Sequence, residues 1–469
     1  MLHSGETINS SFALFSTPSR LEKAGNVLAL SGFVLLVVAP STVTSALSLA
    51  LLATGLALQP SLGLALLGVV LPFYLHPKQL GSMDFSLPEL ILLSTLLGAA
   101  LHAAIRGLRG ARVAAFRLAT PLDGPVALFL GAALLSLLAS EVMRVSLRDL
   151  RTLVLEPVAA YYLAVWFLRS QRELVRVVAA LLLGGAIVAL FGLYQYFFTD
   201  QVTAVEGVRR IQASYSSPNN LGLYLGRLLP VALAMALFLP AAAFRSARIA
   251  SGILSAILAA ALLFTFSIGS WLATALAILV VVLLWRTRAG VVMAGGYLAA
   301  LAAAVPLSST ERVSSHFSLT RGTSFIRIHL WESSLQMIRD HPLLGVGMDN
   351  FLYHYRSEYL QPEAAAEPNL SHPHNLVLNF WLQMGILGVA AAAWVAVALG
   401  QLWRRRWRVS GDPLERALLA GIAGSLVDFV VHGMVDNSYF LVDLSFHFWL
   451  CAAIIVVLDA ALSPRGRIE

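Results

Sequence analysis

The stretch LVRVVAALLLGGAIVALFGLYQYFF, from Leu174 to Phe198, is long enough to cross the hydrocarbon core of a bilayer as one helix. Similar runs recur along the chain, and their length is not that of the short alternating strands of an outer-membrane barrel. Hydrophobic residues make up 58% of the 469 residues and charged residues only 12%, which excludes an ordinary soluble domain. The sequence therefore predicts an all-α polytopic membrane protein.

A window search along the chain predicts about twelve to fourteen transmembrane helices. The second and third runs are short and are separated only by Gln59-Pro60-Ser61, so they form either two crossings or one broken pair. No apolar segment typical of a cleavable signal peptide precedes the first run, which we expect to act as the insertion signal. The apolar runs are 25–40, 43–58, 61–75, 87–105, 123–140, 152–168, 174–198, 220–240, 247–266, 270–285, 290–307, 375–402, 414–434 and 440–461.

The basic residues predict the orientation, because cytoplasmic loops retain Lys and Arg. Alternate loops carry arginine clusters, at 106–117, 169–176, 245–248, 286–288 and 404–408, so both termini are expected on the cytoplasmic side. The outer side then receives an arginine-bearing loop at 199–218, the segment 140–151, a polar insert at 308–374 and the turn around Asp436. Three regions follow: an N-terminal transmembrane bundle at 1–307, the helical insert at 308–374, and C-terminal transmembrane helices at 375–469.

The insert contains many of the polar and ionisable side chains that could act in catalysis or binding. Ser324 to Arg339 has the spacing of an amphipathic helix with Ile328, Trp331, Leu335 and Ile338 on one face, and a second short helix is predicted from about 349 to 360. Outer arginines run against the positive-inside tendency, so we expect an anion as their partner. Six of the eleven histidines and five arginines lie in the insert: His316, His329, His341, His354, His372, His374, Arg312, Arg321, Arg327, Arg339 and Arg356.

The end of the insert, His372-Pro373-His374-Asn375, leads into a long apolar run. Because proline favours the first turn of a helix, His374 is expected beside a helix N-terminus, where the dipole disfavours imidazolium and leaves a neutral proton acceptor. The alternatives are a capping role for both histidines, or a zinc site formed by His372, His374, His354 and Glu358, although no spacing matches a known site.

Arginines in the other outer segments have two interpretations. Arg209 and Arg210, followed by Asn219 at the mouth of the next span, either contact lipid phosphates or bind a substrate diphosphate. Arg144, Arg148 and Arg151 share one helix face, for which lipid contact is favoured. His432 and Asp436 are polar groups near the membrane that either are structural or line a cavity.

Three stretches in order resemble the O-antigen ligase and polymerase superfamily of bacterial envelope glycosyltransferases. They are the segment from Arg210 to Asn220 (RIQASYSSPNN), Arg327-x3-Trp331 with HPLLGVGMDNF at 341–351, and HPHNL at 372–376 with GILG at 385–388. The chain departs from the family at 267–271 (SIGSW), where the family often carries a Ser-Arg-Gly-like sequence.

The resemblance implies a GT-C-like architecture in the bacterial inner membrane. It also implies metal-independent, inverting transfer of a glycan from a polyprenyl-diphosphate carrier to an acceptor hydroxyl on the outer face. Membrane lipids and a lipid-linked or glycan acceptor are the expected partners; no nucleic acid, cofactor or metal is expected. The alternatives are a polysaccharide polymerase, a protein O-oligosaccharyltransferase or a polytopic lipid or glycan transporter. A transporter would show an internal repeat and charges near mid-bilayer, whereas here ionisable residues collect at span ends.

The predicted residue roles follow from charge development on the leaving diphosphate and proton loss from the acceptor hydroxyl. Arg210 and Arg327 are expected to stabilise the diphosphate, and His374 to act as the general base. The residues expected to bind substrate are Arg209, Arg321, His372, Asn375, Trp331, Asn219 and Asp436.

Overall fold

The computed structural model describes residues 19–108, 119–200, 202–205, 208–304, 323–365 and 367–460, which are almost entirely helical. Nine helices of this described part are long and apolar enough to cross a membrane, so the predicted all-α polytopic fold is confirmed. The helices are α1 (Arg20–Val38), α2 (Thr42–Leu58), α3 (Pro60–Val70), α4 (Leu87–Leu108), α5 (Asp123–Ser136), α6 (Met143–Asp149), α7 (Glu156–Phe167), α8 (Gln171–Phe198), α9 (Pro218–Phe238), α10 (Ala241–Phe264), α11 (Ile268–Trp285), α12 (Thr287–Ala304), α13 (Thr323–Asp340), α14 (Phe351–His354), α15 (Leu376–Val409), α16 (Pro413–Gly433) and α17 (Val442–Ala460). The strands are β1 (Lys78–Leu80), β2 (Met83–Phe85), β3 (Thr203–Val205) and β4 (Val208–Arg210), which pair as the antiparallel hairpins β1–β2 and β3–β4.

Each predicted apolar run coincides with a helix. The doubtful second and third runs are a broken pair, because α2 ends at Leu58 and α3 begins at Pro60 after the single residue Gln59. Proline at the first helical position has no N–H that must be bonded, so a new helix starts there. The helix axis is interrupted while the apolar sequence continues.

The centre of the bundle is formed by α9, α16 and α17. Of the nine spans, α17 and α9 have the largest buried shares, at 83% and 78%. The helix α16 packs against both α9 and α11, while α17 packs against α7. The start of α9, the end of α16 and the start of α17 together support the candidate site described below.

Ionisable side chains also lie inside the bundle, which corrects the expectation that they collect at span ends. Arg227 of α9, Asp428 of α16, and Asp443 and His447 of α17 are each at most 2% exposed. Such groups are tolerated because they bond to one another or to other polar groups. Arg227 Nε lies 3.5 Å from Asp428 Oδ2, and Asp443 Oδ2 accepts a 2.7 Å hydrogen bond from the hydroxyl of Tyr215.

The insert has a small core of its own, centred on α13, and the predicted apolar face of this helix is partly wrong. Leu330 and Met337 are fully buried, whereas Leu335 is 46% exposed. Ser333 and Ser334 are also buried, because each hydroxyl donates to a backbone carbonyl, of Tyr359 at 2.6 Å and of Leu330 at 2.7 Å. The buried face of α13 therefore includes two hydrogen-bonded serines and differs from the face that hydrophobicity alone predicts.

Two glycines join the insert to α15. Gly345 and Gly385 have φ of 68° and 65°, and a Cβ on Gly385 would collide with the carbonyl of Leu343. This close approach lets Val346 N–H donate to the carbonyl of Leu382 at 2.8 Å. The helix α15 is broken at Gly385, and two of the stretches that carry the family resemblance meet there.

The segment at 140–151 contacts the insert. Arg148 Nη2 lies 2.5 Å from Asp349 Oδ2, and Arg151 pairs with Glu89. Asn350 Oδ1 accepts a 2.7 Å hydrogen bond from the N–H of Val142. Arg148 and Arg151 therefore have carboxylate partners, and their contact with lipid stays a prediction.

Candidate functional site

The start of α15 presents a histidine and a carboxylate to each other. His374 Nδ1 lies 2.9 Å from Asp436 Oδ1, although the two residues are 62 positions apart in the chain. Asn375 caps α15, since its Oδ1 accepts hydrogen bonds from the N–H groups of Val377 and Leu378. His374, one residue before this cap, has a left-handed φ of 49°, which redirects the chain as it leaves the insert.

Asp436 lies in the turn between α16 and α17 and is 4% exposed. Its Oδ1 also accepts a 2.8 Å hydrogen bond from the N–H of Asn437. Burial alone would raise the pKa of Asp436, but the imidazoles of His372 and His374 lower it well below its usual range. A carboxylate that stays ionised accepts the Nδ1 proton of His374, so Nε2 of His374 is left as the proton acceptor.

His372 stacks close to this pair. The His372 and His374 ring centroids are 4.2 Å apart, and His372 Nε2 lies 3.8 Å from Asp436 Oδ1, beyond hydrogen-bonding distance. Burial lowers the pKa of His372, so its imidazole is neutral near pH 7. A neutral neighbour does not repel a proton that arrives on His374.

The insert helix α13 contacts the same residues. Trp331 Nε1 donates a 2.9 Å hydrogen bond to the carbonyl of Pro373, between the two histidines. Arg327 lies one turn earlier, near enough for its charge to lower the pKa of His372 further. Among the described residues Arg327 has no hydrogen bond or ion pair. Arg321, also predicted to bind substrate, lies outside the described residues.

The β3–β4 hairpin places the other predicted arginines, and it separates them. Arg210 Nε donates to the carbonyl of Thr265 at 2.7 Å, and its Nη2 donates to Asn219 Oδ1 at 2.8 Å. Arg209 points to the end of α8, where it donates to the carbonyls of Tyr196 and Thr199 and lies 5.3 Å from the Tyr196 ring centroid. Arg210 is thus directed at the turn before α11, and Arg209 is not.

This turn, at 265–267, and the start of α11 lie between the hairpin and the histidine pair. Ser270 Oγ lies 3.5 Å from Nε2 of His432, whose ring interacts electrostatically with Asp436 and Arg327. Position 268, where the family often has arginine, carries Ile268, which is 38% exposed. The guanidinium bonded to this turn comes from Arg210 instead. Arg210 is thus bonded to the turn that leads into α11, α11 contacts His432 through Ser270, and His432 interacts electrostatically with Asp436, the partner of His374.

Three of these groups could hold a cation. One ligand atom each from His372, His374 and Asp436 lie within 4.8 Å of one another, a set that suits Zn²⁺ in number and type. The four-residue zinc set considered from sequence is wrong, since His354 Nε2 instead lies 3.7 Å from Glu141 Oε2. A metal would displace the proton between His374 and Asp436, so the two uses of these groups exclude each other.

An apolar groove of about 240 Å³ begins beside this cluster. It starts at Leu376 and Val377, two and three residues after His374, and continues between α15, α16 and α17. Further along, the groove is lined by Phe380, Ala393, Val430 and Phe448.

Sequence reasoning found His374, Asp436 and Arg210 but missed two groups that adjoin them. Thr265 was missed because it contributes only a backbone carbonyl. Arg227 was missed because it lies in an apolar run, although a lone arginine in such a run is itself a signal of function.

Comparison with protein families gives one match. Residues 253–393 match the model of the O-antigen ligase family, which confirms the resemblance inferred from sequence. The matched segment includes Arg327, Trp331 and His374, while Arg210 and Asp436 lie outside it. No curated protein matches the chain.

Proposed function

We propose, from the premise that residues 253–393 form an O-antigen ligase-like domain, that this membrane protein transfers a glycan from a polyprenyl-diphosphate carrier to an acceptor hydroxyl. The observation that carries the proposal is the pairing of His374 Nδ1 with Asp436, which leaves Nε2 to accept a proton. The charge of Arg327 acts on the neighbouring His372. The reaction takes place on the outer face of the cytoplasmic membrane, with both chain termini inside.

In the proposed step His374 Nε2 takes the proton of the acceptor hydroxyl. The acceptor oxygen forms a bond to the anomeric carbon, and the bond from that carbon to the diphosphate oxygen breaks. The diphosphate leaves with the electron pair, and the anomeric configuration inverts. Asp436 remains ionised and stabilises the imidazolium that forms. Arg327 and Arg210 stabilise the negative charge on the leaving group.

The apolar groove beside Leu376 supports a lipid-linked donor. An isoprenoid chain that enters it would bring the attached diphosphate to the start of α15, next to His374. The acceptor is a lipid-linked core sugar, a growing repeat unit or a protein side chain, and these distinguish a ligase, a polymerase and a protein O-oligosaccharyltransferase.

The test is transfer by the purified full-length protein from a polyprenyl-diphosphate glycan to each of these three acceptors, with EDTA present. We expect His374→Ala to lower kcat by about 10²–10⁴-fold, the usual contribution of a general base. The matched control is His329→Ala, which removes a histidine of the same insert that pairs with Glu332. Activity of His374→Ala equal to that of the control would refute the base, and loss of wild-type transfer in EDTA would refute metal independence.

The transporter alternative is favoured by one observation, since Arg227 and Asp428 are charged groups inside the bundle. They are, however, partners of each other and almost fully buried. Proteoliposomes distinguish the classes. A transporter would move the lipid-linked glycan across the bilayer and would retain this activity in His374→Ala, whereas the proposed enzyme forms a covalent product and loses it.

A further inference from the structure

Arg227 is the most unusual charged residue of the bundle. It lies in the middle of α9, one of the two most buried spans, and is 1% exposed. Its charge is balanced by Asp428 of α16, which also accepts a 3.0 Å hydrogen bond from the hydroxyl of Thr274 in α11. Removing two charges from water costs several kcal/mol per ion, so a buried pair is weak evidence for stability alone.

Arg227 makes shorter contacts with Ser438 than with Asp428. Nη2 donates to both the carbonyl and the hydroxyl of Ser438 at 2.6 Å each, whereas Nε lies 3.5 Å from Asp428 and has no hydrogen-bond partner among the described residues. The Ser438 hydroxyl in turn donates to the carbonyl of Phe429 at 2.7 Å. The best-made bonds of the guanidinium therefore go to the turn after α16, and not to the carboxylate.

That turn also contains Asp436, two residues before Ser438. Its other side is held by α15, because Asn379 Nδ2 donates to Asn437 Oδ1 at 3.2 Å. The helix α9 packs closely against Asp428 and Thr274 at Gly226, since a Cβ there would lie 2.7 Å from both Asp428 Oδ1 and Thr274 Oγ1. The turn that contains Asp436 is thus bonded on one side to Arg227 and on the other to Asn379.

We propose that Arg227 is a positioning residue, which holds the 436–438 turn so that Asp436 meets His374 Nδ1. This inference rests on the proposed function, because it assigns Arg227 an effect on the rate through the His374–Asp436 pair. Arg227 is too deeply buried to contact a substrate, so its loss should lower kcat and leave KM for the donor unchanged.

The test uses the double variant Arg227→Met/Asp428→Asn in the full-length protein. It removes both charges of this pair with little change in volume, so neither partner is left behind without the other, and asparagine can still accept the Thr274 hydroxyl. We expect kcat to fall at least tenfold, with KM for a polyprenyl-diphosphate glycan changed by less than about twofold. In an Asp436→Asn background the same two substitutions should have almost no further effect on kcat, because the group they position is already lost.

The control is Arg406→Met/Glu415→Gln, which removes a partly buried pair, 2.5 Å between Nη2 and Oε2, near the other end of α15. It should lower the melting temperature without lowering kcat. If the Arg227 double variant fails to fold, Arg227→Lys retains the charge but lacks the planar fork that reaches both Ser438 and Asp428, and we expect the same loss of kcat at unchanged KM.

The outcomes separate this inference from the proposed function. If Asp436→Asn alone leaves kcat unchanged, the His374–Asp436 mechanism is wrong. If Asp436→Asn lowers kcat but the Arg227 variants keep the wild-type value, or if the two losses multiply, Arg227 has a structural role only and the positioning inference is overturned.

Discussion

Two arginines belong to the candidate site, and the structure holds them in different ways. Arg210, on the β3–β4 hairpin, is bonded on one edge to the Thr265 carbonyl and on the other to Asn219. Arg327, on the insert helix α13, has no hydrogen bond or ion pair among the described residues, and only its helix is attached, through Trp331. The side chain of Arg210 is thus held by hydrogen bonds without substrate, whereas for Arg327 only the backbone helix is held in place.

We expect this difference to affect how each arginine stabilises charge on the substrate. A donor that is already oriented stabilises developing charge without reorganisation during the reaction. A guanidinium that is not hydrogen-bonded in advance loses conformational entropy when it binds the substrate. It makes its full set of hydrogen bonds only with an anion. We therefore expect Arg210 to define where the diphosphate lies and Arg327 to respond to the charge that develops on it.

Removal of each arginine in turn tests whether the two side chains have different roles. Arg327→Ala should lower kcat by about 10²-fold, as loss of one charge-stabilising donor does, with an unchanged melting temperature because Arg327 has no hydrogen bond or ion pair within the described part of the chain. Arg210→Ala should lower both kcat and the melting temperature, since Thr265 and Asn219 lose their partner. Transfer assays and thermal unfolding of the same preparations measure both quantities.

Arg339→Ala is the matched control for Arg327, because Arg339 lies on the same helix near its other end. It should leave kcat at the wild-type value. The comparison fails if Arg210→Ala leaves the melting temperature unchanged, or if Arg327→Ala lowers it as much as Arg210→Ala does.

The pH dependence of stability should show a second effect, because His372, at the end of the insert, is a histidine whose folded pKa is shifted. Burial lowers the pKa of His372 below its ordinary value of 6.5, so between the two values the unfolded chain binds a proton that the folded chain does not. The contribution is therefore fully present above pH 6.5 and is lost as the pH falls below it. The contribution of His372 should therefore lower the melting temperature as the pH falls from about 6.5 to about 5.5.

His372→Asn should flatten this decrease, because asparagine does not titrate. Asp436 does not contribute in the same window, since its folded pKa lies well below its usual value and its stabilisation is lost only at more acidic pH. A wild-type slope in His372→Asn would contradict the assignment. His329→Asn serves as the control and should keep that slope.

The two sides of the site also differ in how far sequence could predict them. The start of α15 follows from local rules only in part, since Asn375 is a capping residue, whereas Pro373 lies two residues before the cap and not in the first turn as the proline argument predicts. Its pairing with Asp436 could not be derived, because the two segments are 62 residues apart and no local pattern fixes their contact. Arg210 was assigned to a loop, and neither its hairpin nor its bond to the Thr265 carbonyl has a signal in the side-chain pattern.

The smallest expected effect concerns the attachment of the insert helix. Trp331→Phe removes the hydrogen bond to the Pro373 carbonyl, which is worth about 0.5–1.5 kcal/mol, and should lower kcat a few-fold by loosening α13 against the two histidines. The chain offers a closely matched control, because Trp381 Nε1 makes a bond of the same length, 2.9 Å, to the carbonyl of Pro342. Trp381→Phe should cost similar stability and leave kcat unchanged. Equal kcat losses in both variants would mean that the insert acts only through its general stability, and Arg327 would then need no defined position relative to His374.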